Sequence, residues 1–188
     1  MGRPDRATGM GRLWERPGLD LPAFHQATEQ LQTILRDPAA LPALFDLLAT
    51  ATDSQIRQFA AVLTRRRLNN RWRRLAPEQR ESLKSLVLTA LQKETVHSVS
   101  VSLAQLSATI FRKEGLQGWP QFMNLLQHST HSSHSPEKEV GLLLLSVVVS
   151  SQPEAFHAHQ HELLQLLNET LSDVSFPGVL FYSLRTLT

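Results

Sequence analysis

Residues 53–94 read DSQIRQFAAVLTRRRLNNRWRRLAPEQRESLKSLVLTALQKE, and this stretch decides the fold. Asp53 suits a helix N-cap, because its carboxylate can accept an amide proton that the start of a helix leaves unpaired. Behind it Ile56, Phe59, Ala60 and Leu63 recur at helical spacing and predict a buried stripe. That helix is expected to end in a block of arginines near Asn69-Asn70. Pro77 then fits the first position of another helix, where its missing N–H costs nothing, and Glu78 and Glu81 suit the positive end of that helix. Leu83, Leu86, Val87, Ala90 and Leu91 line its apolar face. Two helices, each apolar on one side, cannot bury those sides alone and must stack on similar units.

The same unit recurs outward in both directions. Upstream, Ala27, Leu31 and Ile34 or Leu35 predict a helix that Asp37-Pro38 stops, since the residue before proline avoids the helical region. Leu41, Leu44, Phe45 and Leu48 predict the next over 38–51. Downstream, helices are expected over 96–112, 119–127 and 135–149, then from Pro153 through Leu171 and from Phe176 onward. A polar loop is expected over 128–135, with Ser135 as an N-cap before Pro136 and Glu137. Alternate helices start near Pro38, Pro77, Trp119 and Pro153, and the intervening ones near Asp53, Val96, Ser135 and Phe176. Helix pairs recurring at about 40 residues are the mark of HEAT or armadillo arrays. The expected fold is therefore all-α, a HEAT/armadillo-type solenoid of stacked antiparallel helix pairs. One stretch argues against it locally: Val99, Val101 and Leu103 alternate with serines, which is a strand period. The leucine spacing on either side favours helix there too.

Composition agrees. Of 188 residues 33 are leucine, aromatic residues make up 6%, and cysteine is absent. This excludes disulfide frameworks, thiol catalysis and cysteine-based zinc sites. The longest apolar run, 140–149, falls far short of the roughly 20 residues that span a bilayer, so no membrane role is expected. Residues 1–22 carry four Gly, three Pro and four Arg and show no helical period, so an irregular or disordered segment is expected there. The net charge of +2 conceals an asymmetry: eight arginines and only Glu78 as an acid lie between Ile56 and Arg80. Such a block is a candidate surface for an acidic partner.

The motifs ATEQLQ, DSQIRQFAAVLTRRRLNNRW and RESLKSLVLTALQKE, within 27–94, resemble the importin-β N-terminal domain of the karyopherin-β family. The likeness continues through LSATIFRKEG, GLLLLSVVVSSQPEAF and FYSLRTLT, and so covers 27–188. The resemblance implies an importin N-terminal-like domain over 23–94 and further HEAT repeats over 95–188. It implies a nuclear transport receptor, moving between cytoplasm and nucleus, that binds cargo proteins and nucleoporin FG repeats and is unloaded by Ran in its GTP state. It also places the main Ran contact on the second helix of each pair, here about 20–36, 53–68, 96–112 and 136–150. Arg57, Arg65 and Arg66 are the residues carried over to that contact, with Lys113 and Glu139 as further candidates. Two departures stand out: MGRPDRATGMGRLWERPG occupies the place of the family's first leucine-rich helix, and the chain stops at Thr188 within a helical pattern. A fragment or short isoform is expected on those grounds, with most cargo contacts in later repeats.

Other chemistries are weaker. The arginine block could instead neutralise phosphates or other acidic proteins, or serve helix ends. Phe59 belongs to the apolar stripe, and Trp72, the other aromatic among these arginines, is expected to pack at a repeat junction, which disfavours nucleic acid. His128, His131 and His134 are spaced by three, and His157, His159 and His161 by two, without the acid–histidine pattern of a metal site. Neither a G-x-S-x-G elbow nor a Gly-rich phosphate loop is present. No enzyme activity, metal or cofactor is expected.

Overall fold

A computed structural model describes Gln26, Asp37, residues 39–154, Phe156, 160–171 and Tyr182. The chain divides into two units, Met1–Ala40 and Leu41–Thr188. The expectations for 1–22, for most of the helix ending at Arg36 and for the segment after Phe176 lie outside the described residues. In the first unit, Gln26 is helical and the Asp37 carboxylate accepts the Ala39 amide at 2.8 Å.

Seven α-helices follow among the described residues: α1 (Ala40–Thr50), α2 (Ser54–Arg71), α3 (Pro77–Lys93), α4 (His97–Gly118), α5 (Pro120–Thr130), α6 (Ser135–Ser151) and α7 (Gln160–Leu171). A 3-10 turn, Trp72–Arg74, closes α2, and Pro153 and Glu154, where the sequence predicts the start of a helix, are also 3-10. Asp53 caps α2 as expected, its Oδ1 accepting the Gln55 amide at 2.8 Å, and Pro77 opens α3. No strand occurs among the described residues, and the fold is an all-α helical repeat. Helices α2, α4 and α6 lie side by side in a row, with α3 against α4 and α5 against α6. No described helix is long and apolar enough to cross a membrane.

The serine-rich stretch is helical, and its hydroxyls explain how. Ser102 Oγ donates to the Ser98 carbonyl at 3.0 Å, Ser107 Oγ to Leu103 at 2.9 Å and Thr109 Oγ1 to Gln105 at 3.0 Å. Back-bonding to the preceding turn satisfies buried hydroxyls, so α4 can be packed on several sides at once. Val99, Leu103, Leu106 and Ile110 then fall into one buried helical face. A ring cluster closes the core beside it: Phe111 and Phe122 centroids stand 5.4 Å apart, and Trp119 stacks on Phe122 at 4.8 Å.

Some expectations need correction. Ile56 and Phe59 are 44% and 51% exposed. The buried face of α2 is carried by Ala60, Ala61, Leu63, Thr64 and Leu68, because small residues let neighbouring helices approach. Helix α5 continues through Thr130, shrinking the polar loop to 131–134. Ser135 is the first residue of α6 and not its cap: the cap position is His134, whose side chain makes no capping bond. The local bonding is done by Ser132, whose Oγ donates to Glu137 Oε2 at 2.7 Å and accepts the His134 amide at 3.1 Å.

Two glycines have geometric roles. Gly115, at φ 74°, breaks α4 near its end, a conformation that costs a residue with a Cβ about 1 kcal/mol or more. Gly141 lets α6 press against the end of α5: a Cβ there would lie 2.7 Å from the Ser129 carbonyl carbon and the Thr130 nitrogen.

Candidate functional site

Helices α2 and α4 run side by side in the same direction. Arg57 meets Glu94, Arg65 meets Gln105 and Asn69 meets Arg112, which are 37, 40 and 43 residues apart. One repeat length thus separates residues that touch along the row, and the C-terminal ends of the two helices fall on the same side.

The arginine block divides into two sets. In the first, cations are consumed by the fold. The Arg57 guanidinium grips Glu94 with both arms, Nε to Oε2 at 2.8 Å and Nη2 to Oε1 at 2.9 Å. Its Nη1 donates to the Ala51 and Thr52 carbonyls at 3.0 and 2.8 Å. That fork holds the Glu94 carboxyl below the usual carboxylate range; the Val96 and Thr95 amides help, and burial works against them. The same bond raises the Arg57 pKa. A second knot surrounds Glu114, which accepts from Trp72 Nε1 at 2.7 Å and from Lys84 Nζ at 3.2 Å, with Arg80 at 3.8 Å. Lys84, almost wholly buried, also donates to the Gly118 carbonyl at 2.9 Å and meets Glu81 at 2.6 Å. Trp72 is buried in this junction, as its reading as a packing residue required.

In the second set, cations face solvent without an acid. Arg65, Arg66 and Arg112 line a cleft of about 360 Å³ with Asn69, Gln105 and Ser151, crossing from α2 over α4 to α6. Arg65 Nη1 donates to Gln105 Oε1, and Arg112 Nη2 to Asn69 Oδ1 at 3.2 Å. Asn69 and Arg112 also belong to a neighbouring cleft of about 340 Å³, lined further by Trp72, Arg73 and Lys113. No carboxylate lines either cleft.

The structure therefore brings together Arg65 and Arg66, sets Lys113 in the adjoining cleft, and separates the other two candidates. Arg57 is engaged within the chain. Glu139 lies at the opposite end of the row, its Oε1 3.8 Å from Nδ1 of His97, the first residue of α4. Fifteen residues of helix, about 22 Å, separate His97 from Arg112. Sequence reading placed Arg73 in the basic block and did not single out Arg112. The repeat length was the usable signal, since adding about 40 to Asn69 reaches the Arg112 turn.

The histidine trio offers a different geometry. His128, His131 and His134 line an open cleft with Asn124, Gln127 and Glu137. Among the described residues, no group of three or more His, Cys, Asp or Glu is placed to hold a metal ion. His157 and His159 lie outside the described residues.

Comparison with known proteins places the chain. Residues 27–93 match the family described as Importin-beta N-terminal domain, and residues 91–188, just over half of the chain, match that described as IPO5-like, TPR repeats. Importin-4 of Mus musculus is 96% identical over 169 residues, which are 90% of this chain and 16% of that protein. Importin-4 of Homo sapiens is 76% identical over the same span and shares. Probable importin subunit beta-4 of Schizosaccharomyces pombe is 23% identical over 135 residues, 71% of this chain and 13% of that protein. The chain thus spans about a sixth of the length of the importin-4 relatives it matches. With a parallel row of repeat helices and two adjoining family matches that together cover 27–188, the chain belongs to the importin-β family.

Proposed function

We propose that this chain acts as the N-terminal part of a nuclear transport receptor and that its α2–α4–α6 row binds the small GTPase Ran in the GTP state. Residues 23–94 serve as the N-terminal domain and 95–188 as the repeats that extend it. The observation that carries the reading is the acid-free cleft shared by Arg65, Arg66 and Arg112, on the helices where the family expectation puts the GTPase. Uncompensated guanidiniums on a rigid row supply bidentate donors to carboxylates and steer an acidic partner toward them. Arg57 serves the site by tying α2 through Glu94 to the junction of α3 and α4, and Lys113 and Glu139 lie outside the cleft. Cargo and nucleoporin FG repeats are the other partners of this reading, with shuttling between cytoplasm and nucleus.

The test is capture of the 188-residue chain by immobilised Ran loaded with GTP or with GDP. Selective capture by the GTP form is expected, and Arg65→Glu with Arg66→Glu should weaken it by about tenfold or more. Equal capture in both states, or none, removes the reading. Unchanged affinity in the double variant removes the cleft from it. A nucleic-acid reading has less support, because the Trp72 ring is buried and leaves no face for base stacking.

A further inference from the structure

The smaller basic cleft needs a separate account. It lies where α2 gives way to its 3-10 turn and α4 approaches its break at Gly115. Arg73, Arg112 and Lys113 line it, and all three are exposed. None of the three forms an ion pair among the described residues. The one acid nearby in sequence, Glu114, is turned inward to Trp72, Lys84 and Arg80 and leaves the cleft uncompensated. Trp72 supplies a wall and spends its N–H on Glu114.

We infer that this cleft docks an acidic polypeptide segment, a short extended run of Asp or Glu, independently of the GTPase reading. Charge alone would fit any polyanion, and the burial of Trp72 narrows the choice. Its ring is 3% exposed and leaves no face on which a base can stack, so a nucleic acid gains only its charge here. Arg73, Arg112 and Lys113 carry their charges on long stems and can follow the carboxylates of an extended acidic peptide. Arg112 gives one donor to Asn69 and keeps the remainder of its five for the ligand.

The experiment uses fluorescence anisotropy on the 188-residue chain with a labelled peptide of alternating Glu and Ser. A Gln–Ser peptide and an oligothymidylate serve as the other arms. The acidic peptide should bind, lose affinity as salt rises, and bind about tenfold more weakly to Arg73→Glu with Lys113→Glu. The far-UV circular dichroism and melting temperature of that variant should match the parent. Equal binding of the neutral peptide overturns the inference, as does unchanged affinity in a folded double variant. Tighter binding of the oligothymidylate than of the peptide assigns the cleft to nucleic acid and also overturns it. GTP-dependent capture by Ran, measured on the same variant, separates the two proposals: peptide binding lost with Ran capture retained supports both. Peptide binding in a parent chain that ignores Ran removes only the earlier reading.

Discussion

Arg57 and Arg66 belong to one helix and do different things. The first is spent on Glu94 and on two carbonyls, whereas the second is exposed in a cleft without acids. Nothing local in the arginine block distinguishes them, because the acids that decide, Glu94 and Glu114, lie a full repeat further on. Sequence reading therefore located the block without sorting its members. The Arg57–Glu94 bond has a pH signature. Glu94 titrates below its ordinary 4.5 in the folded chain, so its contribution is fully present above that value and is lost as pH falls through the folded value. Glu94→Gln should lower the melting temperature by a similar amount from neutral pH down to about 5, and the gap to the parent should close on further acidification. Thermal melts across that range check it; a gap that widens in acid would contradict the sign.

At the scale of elements, caps and prolines marked the helix starts well, as Asp53 and Pro77 show. The ends were harder, because α2 and α5 run on through Arg71 and Thr130 on tertiary support that no local residue announces. The junctions where elements meet carry two predictions. Gly141→Ala places a methyl group against the backbone of Ser129 and Thr130, which cannot yield as a flexible side chain would. It should cost about 1–3 kcal/mol in chemical denaturation. Glu114→Ala leaves the Trp72 N–H unpaired and takes from the buried Lys84 one of its two carboxylates, Glu81 and the Gly118 carbonyl remaining, and should cost about 1–3 kcal/mol. Glu114→Ala with Lys84→Met removes the buried charge altogether and should recover part of that loss, measured by the same denaturation curves.

For the molecule as a whole, the period of about 40 residues was the most legible property, because it depends on many weak signals that agree. The candidate site was the least legible. It is assembled across helices, and Arg112 enters it only once α4 is docked beside α2. Repeat arrays couple nearest neighbours, so distant junctions should act independently. Glu94→Gln, where the end of α3 meets α2, and Gly141→Ala, between α5 and α6, share no bonding partner. Their losses should add to within about 0.5 kcal/mol in the double variant, and a larger deviation would show a single cooperative unit instead.

The 37-to-43-residue ties along the row also set a schedule for the nascent chain. Each tie closes a loop of one repeat, whose entropic cost does not grow as further repeats are added. At about 5–20 residues per second, a ribosome delivers the partner for each helix within a few seconds of the helix itself. Glu94 and the Arg112 turn emerge in the order in which Arg57 and Asn69 await them. The chain can thus lock one repeat onto the last while synthesis continues, so that little apolar surface waits uncovered for residues not yet made.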